Sequence, residues 1–347
     1  MLRCAALGDL MFALPALSSL RNAYPQAEIV LLGEPWHQDF LLNRPGPVNR
    51  VVPVPGGLGA VHRGEDFPAQ EQFFEQMRAE RFDVAIQLFG GGRHSNPFIL
   101  RLGAGLTVGA KAPESAPLDR WIPYIYYQSE TFRCLEVCSL LGLHWTHPEA
   151  ELAVTDKDRR EADEVAPSGP LAAIHPGAGA PERRWQPEKF AAVADGLVRA
   201  GATAVITGTS KERDLVSAVL EGMKEEAFEV CGRLTLGGLA GLLSRCAVVV
   251  SNDSGPLYLA AAAGAPTVGI YWCGNLINGA PASRARHRPV ISWRLDCPTC
   301  GANCMETQCE HQPSFVDKVT VEEVLDQALD LFRQERQDAS GDARRGR

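Results

Sequence analysis

The chain has 347 residues, enough for about two domains at roughly 100 to 200 residues each. Its 34 Lys and Arg against 42 Asp and Glu leave a net charge of −8, so no global basic field exists to hold nucleic acid or an anionic membrane, and an anionic ligand needs a local cluster of donors. A hydrophobic share of 45% beside 22% charged residues is the balance of a packed protein and excludes general disorder.

In chain order, Leu2 to Leu7 reads as a first strand, and Asp9 interrupts the apolar run before a secretory core can form, which predicts a cytoplasmic protein. Met11 to Tyr24 places Met11, Leu14, Leu17 and Leu20 on one helical stripe. Strands are predicted at Glu28 to Gly33, Val51 to Val54 and Asp83 to Phe89, with helices at Gln70 to Arg81 and Phe132 to Leu141. After a polar, Pro-containing stretch from Asp156 to Pro170 the alternation restarts. Strands follow at Leu171 to His175, Thr203 to Thr207, Phe228 to Cys231, Ala247 to Ser251 and Thr267 to Tyr271. Pro187 suits the first position of a helix ending before Gly201, and Thr209 with Glu212 and Thr320 with Glu323 have capping-box spacing. The uncharged stretch Gly255 to Ser283 is broken by Pro266 and Pro281 and reads as buried helix, loop and strand, not as a membrane span.

Strands separated by helices imply parallel sheets built from βαβ crossovers. The predicted fold is therefore α/β, with two doubly wound Rossmann-like lobes at 1–165 and 166–335, a cleft between them for a small ligand, and a disordered tail at 336–347.

Three turns stand out. In Leu7-Gly8-Asp9, Asp9 either caps the first helix or presents a carboxylate as general base. His175-Pro-Gly177-Ala-Gly, running into Arg183-Arg184-Trp185, lacks both P-loop and dinucleotide-fingerprint spacing; it is either a plain surface loop or a set of amides plus Arg184 that holds a diphosphate. Asn252-Asp253-Ser254-Gly255-Pro256 opens a helix, and its amides form a second anion-suited turn unless it serves turn geometry alone. Two such turns in one lobe favour a nucleotide diphosphate.

The order Leu-Gly-Asp-Leu-x-x-Ala-Leu-Pro-Ala-Leu (Leu7 to Leu17), Asp83-Val-Ala-Ile-Gln-Leu-Phe-Gly90 with Arg93, His-Pro-Gly-Ala-x-x-x-x-Arg-Arg-Trp-x-Pro-Glu-x-Phe (His175 to Phe190), Thr-Gly-Thr-Ser-x-Glu (Thr207 to Glu212) and Ser-Asn-Asp-Ser-Gly-Pro-x-x-Leu-Ala-Ala-Ala-x-Gly-Ala-Pro-Thr-Val (Ser251 to Val268) resembles glycosyltransferase family 9, the ADP-heptose:lipopolysaccharide heptosyltransferases. The resemblance implies the two-Rossmann GT-B fold and metal-independent, inverting transfer of a heptose or related sugar from a nucleotide diphosphate to a lipopolysaccharide-core or other cell-envelope glycan. It implies Asp9 as the catalytic carboxylate and Arg184 on the diphosphate. The donor would meet His175, Gly177, Thr207, Gly208, Thr209, Asp253, Ser254, Gly255 and Tyr258, the last standing where the family usually has His. Arg93, His94 and Arg120 are acceptor candidates that solvated surface residues would equally explain. A membrane-borne acceptor implies transient contact with the inner face of the membrane, although no amphipathic anchor is evident.

Six of the ten cysteines lie in or near apolar segments as small core residues. The other four, Cys297-x2-Cys300-x3-Cys304-x4-Cys309, precede His311 and suit structural zinc, with disulfides or free thiols as the alternatives. Competing functions are a nucleotide-sugar epimerase of the same fold and a two-lobed sugar-binding protein without chemistry.

Overall fold

The computed structural model describes residues 1–56, 67–307, 309–311 and 313–345. The chain divides into two compact units, Met1–Ala153 and Val154–Arg347.

In the first unit the elements run α1 (Leu7–Ala23), β1 (Val30–Gly33), α2 (Pro35–Leu41), β2 (Arg50–Pro53), α3 (Phe67–Ala79), β3 (Val84–Ile86), α4 (Ser95–Arg101), β4 (Leu106–Lys111), β5 (Arg120–Pro123) and α5 (Glu130–Ser139). β1 pairs parallel with β2, and β3, β4 and β5 pair parallel in that order. The N-terminal residues join the two sheets: Leu2 bridges both Leu32 and Gln87, donating to the Ile86 carbonyl at 2.8 Å while Leu32 donates to Met1 at 2.7 Å. The strand predicted over Leu2 to Leu7 is thus shorter than expected, because the chain has already turned into α1 at Leu7. Burial of Met11, Leu14, Leu17 and Leu20 follows the predicted stripe. Phe73, Phe74 and Met77 of α3 pack with Phe98 in one core cluster, with the Phe74 and Phe98 rings 5.0 Å apart.

The second unit comprises α6 (Asp156–Asp163), β6 (Leu171–His175), α7 (Pro187–Arg199), β7 (Thr203–Ile206), α8 (Arg213–Gly222), β8 (Ala227–Glu229), α9 (Leu236–Leu243), β9 (Cys246–Asn252), α10 (Gly255–Ala262), β10 (Thr267–Trp272), α11 (Cys273–Gly279), β11 (His287–Ser292) and α12 (Val321–Arg345). Its sheet is wholly parallel, in the order β11-β10-β9-β6-β7-β8. The two halves of this doubly wound sheet depart in opposite directions from the β6/β9 pair, which makes that pair the switch point where such folds bind ligands beyond the strand carboxyl ends. Register pairing sets His175 beside Ser251, so the turns that follow β6 and β9 leave the sheet side by side. Trp185, Phe190, Val193 and Leu197 fill the core together with Leu331 and Phe332 of α12.

Two expected boundaries move. Residues 154–165 belong to the second unit, not the first. The reason is that α6 packs on α9: a Cβ at Gly241 would lie 2.2 Å from the Asp158 carbonyl oxygen, and Glu161 accepts from the Thr235 amide and hydroxyl at the start of α9. The predicted tail is helical as far as Arg345, since Gln, Glu, Ala and Arg carry a helix without an apolar stripe; residues 346 and 347 lie outside the described residues. Because the Asp158 obstacle is backbone, Gly241→Ala is expected to cost about 2 to 3 kcal/mol in urea unfolding of the second unit. A change below about 0.5 kcal/mol would contradict the α6–α9 contact. Among the described residues no helix is long and apolar enough to cross a membrane.

Candidate active site

Asp9 is the third residue of α1, and Ala6 is the N-cap. Alanine has no side-chain acceptor, so only the returning half of a capping box exists, from the Ala6 amide to Asp9 Oδ2 at 3.2 Å. The other oxygen, Oδ1, accepts from Arg3 Nη2 at 2.9 Å. Arg3 is buried to 2% exposure and also donates to the Asp9 carbonyl (2.9 Å) and to the Leu88 carbonyl, while Glu130 lies 3.6 Å from its Nη1. Glu130 in turn pairs with Arg133, which binds the carbonyls of Ile125 and Tyr126. Asp9 thus sits between a helix N-terminus and a buried guanidinium, with its side chain 33% exposed.

Arg3 is the residue sequence reasoning missed. Its signal was an arginine inside an otherwise apolar opening run, where a buried charge needs a partner. Arg3→Met is expected to lower stability by about 2 to 3 kcal/mol, less than a fully buried pair would lose because Asp9 and Glu130 keep some solvent. Urea titration checks this, and a loss under about 0.5 kcal/mol would show that the guanidinium carries no structural load.

In the second unit the turns after β6, β7 and β9 come together. His175 Nδ1 lies 3.1 Å from Thr207 Oγ1, and its Nε2 lies 3.9 Å from Glu212 Oε1. Burial holds the imidazole below its ordinary range against the opposite pull of Glu212. Glu212 also accepts from the Thr209 amide and hydroxyl, each at 2.8 Å, closing the capping box predicted there. Gly177 lets the Glu212 carboxylate come close, since a Cβ there would stand 1.9 Å from Glu212 Oε1 and 2.9 Å from His175 Nε2 and would push that carboxylate aside. Gly208 is held likewise against Val216, at 2.7 Å.

Asn252 ties two of the turns together. Its Oδ1 accepts from the Trp185 amide at 3.0 Å and its Nδ2 donates to the Pro176 carbonyl at 2.8 Å. Asp253, only 5% exposed, accepts from Arg183 (3.2 Å), Asn275 (2.9 Å) and the Tyr258 hydroxyl. Its carboxylate oxygens are occupied by protein donors, which makes it the organiser of this turn. Tyr258 is one of those donors, and burial pushes its phenol well above the usual range. Ser254 Oγ pairs with Ser251 Oγ at 3.1 Å. Among the described residues the amides of Gly177, Ala178, Ser254 and Gly255 donate to no protein acceptor. Arg184 donates through Nε to the Ala178 carbonyl at 3.1 Å, which leaves its two Nη groups without a partner among the described residues. Free amides, a helix N-terminus and a guanidinium at a sheet switch point are groups that can bind an anion.

The acceptor candidates separate. Arg93 and His94 are exposed just before α4, whereas Arg120 donates to the Leu140 carbonyl at 2.7 Å and thereby ties β5 to the end of α5. The cysteine cluster also differs from the expected set. Cys297, Cys300, Cys309 and His311 bring their ligand atoms within 4.8 Å of one another, a set that could hold a metal ion. Cys304 stands outside that set, its thiol 3.4 Å from the Ala302 carbonyl and 4.0 Å from Cys309 Sγ. All ten cysteines are unpaired.

The family profile of glycosyltransferase family 9 (heptosyltransferase) matches residues 71–286. Lipopolysaccharide heptosyltransferase 2 of Salmonella typhimurium is 26% identical over 285 residues, covering 76% of this chain and 79% of its own. Lipopolysaccharide heptosyltransferase 1 of Pseudomonas aeruginosa is 22% identical over 326 residues, covering 92% and 89%. Among solved structures, the ADP-heptose lps heptosyltransferase II of E. coli superposes with a TM-score of 0.75 at 19% identity, covering 96% of this chain and 99% of that one. These likenesses give the two α/β units the GT-B-like architecture of a nucleotide-sugar glycosyltransferase. With the matched profile spanning more than half its length, the chain belongs to glycosyltransferase family 9.

Proposed function

We propose that the protein transfers a heptose, or a closely related sugar, from an ADP-linked donor to a lipopolysaccharide-core or similar cell-envelope glycan, with inversion at the transferred carbon. The observation that carries this reading is the pair of adjacent turns at the β6/β9 switch point, whose free amides and Arg184 Nη groups suit a diphosphate. In an inverting transfer the acceptor hydroxyl attacks the anomeric carbon as the bond to the diphosphate breaks, so one base is needed on the nucleophile and positive charge on the leaving group. Asp9 takes the hydroxyl proton. Arg184 and the amides of Gly177, Ala178, Ser254 and Gly255 take up the charge that develops on the departing ADP. His175, held neutral by burial, together with Thr207, Gly208, Thr209 and Tyr258, shapes the donor side without adding charge.

Arg93 and His94 are the acceptor-side contacts in this reading, being exposed polar groups of the first unit. A membrane-borne acceptor gives the protein a cytoplasmic location with transient contact at the inner membrane surface.

The test follows nucleotide release with ADP-heptose and other nucleotide sugars, each with and without a lipopolysaccharide-core acceptor. Acceptor-dependent release of ADP with sugar on the glycan is expected. An isomerised donor would replace this reading by an epimerase, and binding without turnover by a sugar-binding module.

A further inference from the structure

We infer that Cys297, Cys300, Cys309 and His311 bind one structural zinc ion, and that this ion fixes the turn carrying Arg184. Three thiolates and one imidazole make a closed tetrahedral set of the kind zinc takes in structural sites. Ligand atoms already within 4.8 Å of one another need to draw in by only about an ångström to reach the spacing that metal–sulfur bonds of about 2.3 Å impose.

The ligands lie on both limbs of one loop, with Cys297 and Cys300 on the outgoing limb and Cys309 and His311 on the return. The outgoing limb is folded by its own backbone. Gly301 donates to the Cys297 carbonyl (2.8 Å), Cys297 to Ala302 (2.9 Å) and Cys304 to Leu295 (2.9 Å). Among the described residues Cys309, Glu310 and His311 form no such backbone bond, and the Cys309 thiol meets the His311 carbonyl at 3.6 Å and Cys304 Sγ at 4.0 Å. An ion shared by both limbs would pin the return limb to the folded one.

Where that return limb leads gives the ion a function. Three residues beyond His311, Ser314 Oγ donates to the Arg184 carbonyl at 2.7 Å, and Phe315 donates from its amide to Glu182 at 2.8 Å. Further on, the Val319 carbonyl accepts from the Trp185 indole at 2.9 Å and from Lys189 at 3.0 Å. The backbone of the Glu182-to-Trp185 turn is therefore clamped from one side by the segment that leaves the metal cluster. Arg294, just before Cys297, closes the base of the loop through an ion pair with Asp317 at 3.0 Å. The clamp grips the Arg184 backbone carbonyl, so the ion acts on the position of the guanidinium and touches neither donor nor acceptor.

The zinc site stands on the cluster alone; its effect on the donor rests on the proposed role of Arg184. Full-length protein purified without chelator is assayed for zinc and for reactive thiols, and ADP affinity is measured by calorimetry before and after zinc removal. The expected result is about one zinc per chain, retained in Cys304→Ser and lost in Cys300→Ser and His311→Ala. Zinc removal should weaken ADP binding about three- to tenfold, the range for losing one backbone-positioning hydrogen bond, and zinc should restore it. Ser314→Ala should show the same weakening while keeping its zinc, which decides the matter even if the cysteine variants fail to fold. Metal-free protein with the Cys297, Cys300 and Cys309 thiols all reactive would overturn the site. Zinc present, with ADP affinity indifferent both to its removal and to Ser314→Ala, would overturn the positioning role. Full zinc with no ADP binding by the wild type would instead overturn the donor reading and leave the site standing.

Discussion

Asp9→Asn is expected to fold, to bind ADP with near-native affinity, and to lose sugar transfer by about two to four orders of magnitude. The amide keeps an oxygen for Arg3 or for the Ala6 amide, so the structural duties of the side chain are largely preserved. Arg3 retains Glu130 at 3.6 Å as a countercharge, and the exchanged group is one-third solvent-exposed, so the stability loss is held to about 1 kcal/mol. What asparagine cannot do is accept a proton from the acceptor hydroxyl. Transfer at close to the wild-type rate, measured on the same preparation as the ADP affinity, would reduce Asp9 to a helix-terminal contact.

Arg184→Ala should weaken ADP binding by about 10- to 150-fold, since a charge-assisted hydrogen bond to phosphate contributes about 1.5 to 3 kcal/mol. The one hydrogen bond its side chain makes among the described residues, from Nε to Ala178, is a small part of what holds a turn already tied by Trp185, Asn252 and Ser314, so the fold should survive. Lysine should recover part of the affinity through its point charge but not the anchored fork. Arg183→Ala makes the contrast. It removes the ion pair to Asp253 and so loosens the turn, without removing a donor aimed at the ligand. Undiminished ADP affinity in Arg184→Ala, measured by calorimetry, would take that residue out of the site.

The second unit was the more legible in sequence because its inner strands β6, β7, β9 and β10 are buried almost throughout and read as largely apolar runs; Leu171 to His175 coincides with β6. In the first unit β4 interleaves Gly109 with polar Thr107 and Lys111, and β5 is an exposed edge strand, so neither shows such a run. Ala5-Ala6-Leu7 suits strand or helix equally, which is why the first strand was read too far. The turns after β6, β7 and β9 are legible because glycine, helix-start and strand-end signals are local. Their wiring is not: that Arg183 would serve Asp253, leaving Arg184 open, and that Arg120 would hold α5, depend on contacts between segments far apart in the chain. The same limit explains the cluster, since spacing alone cannot show that His311, and not Cys304, joins Cys297, Cys300 and Cys309 in one compact set.

The central claim is a single displacement in which one carboxylate deprotonates the acceptor while the second unit holds the leaving diphosphate. Proton NMR of the product formed from a donor of defined anomeric configuration tests it directly. The account predicts the opposite configuration at the transferred carbon from the first turnover onward. Retention of the donor's configuration would require two displacements or a front-face path, and would contradict the assignment of Asp9 as a base acting in one step.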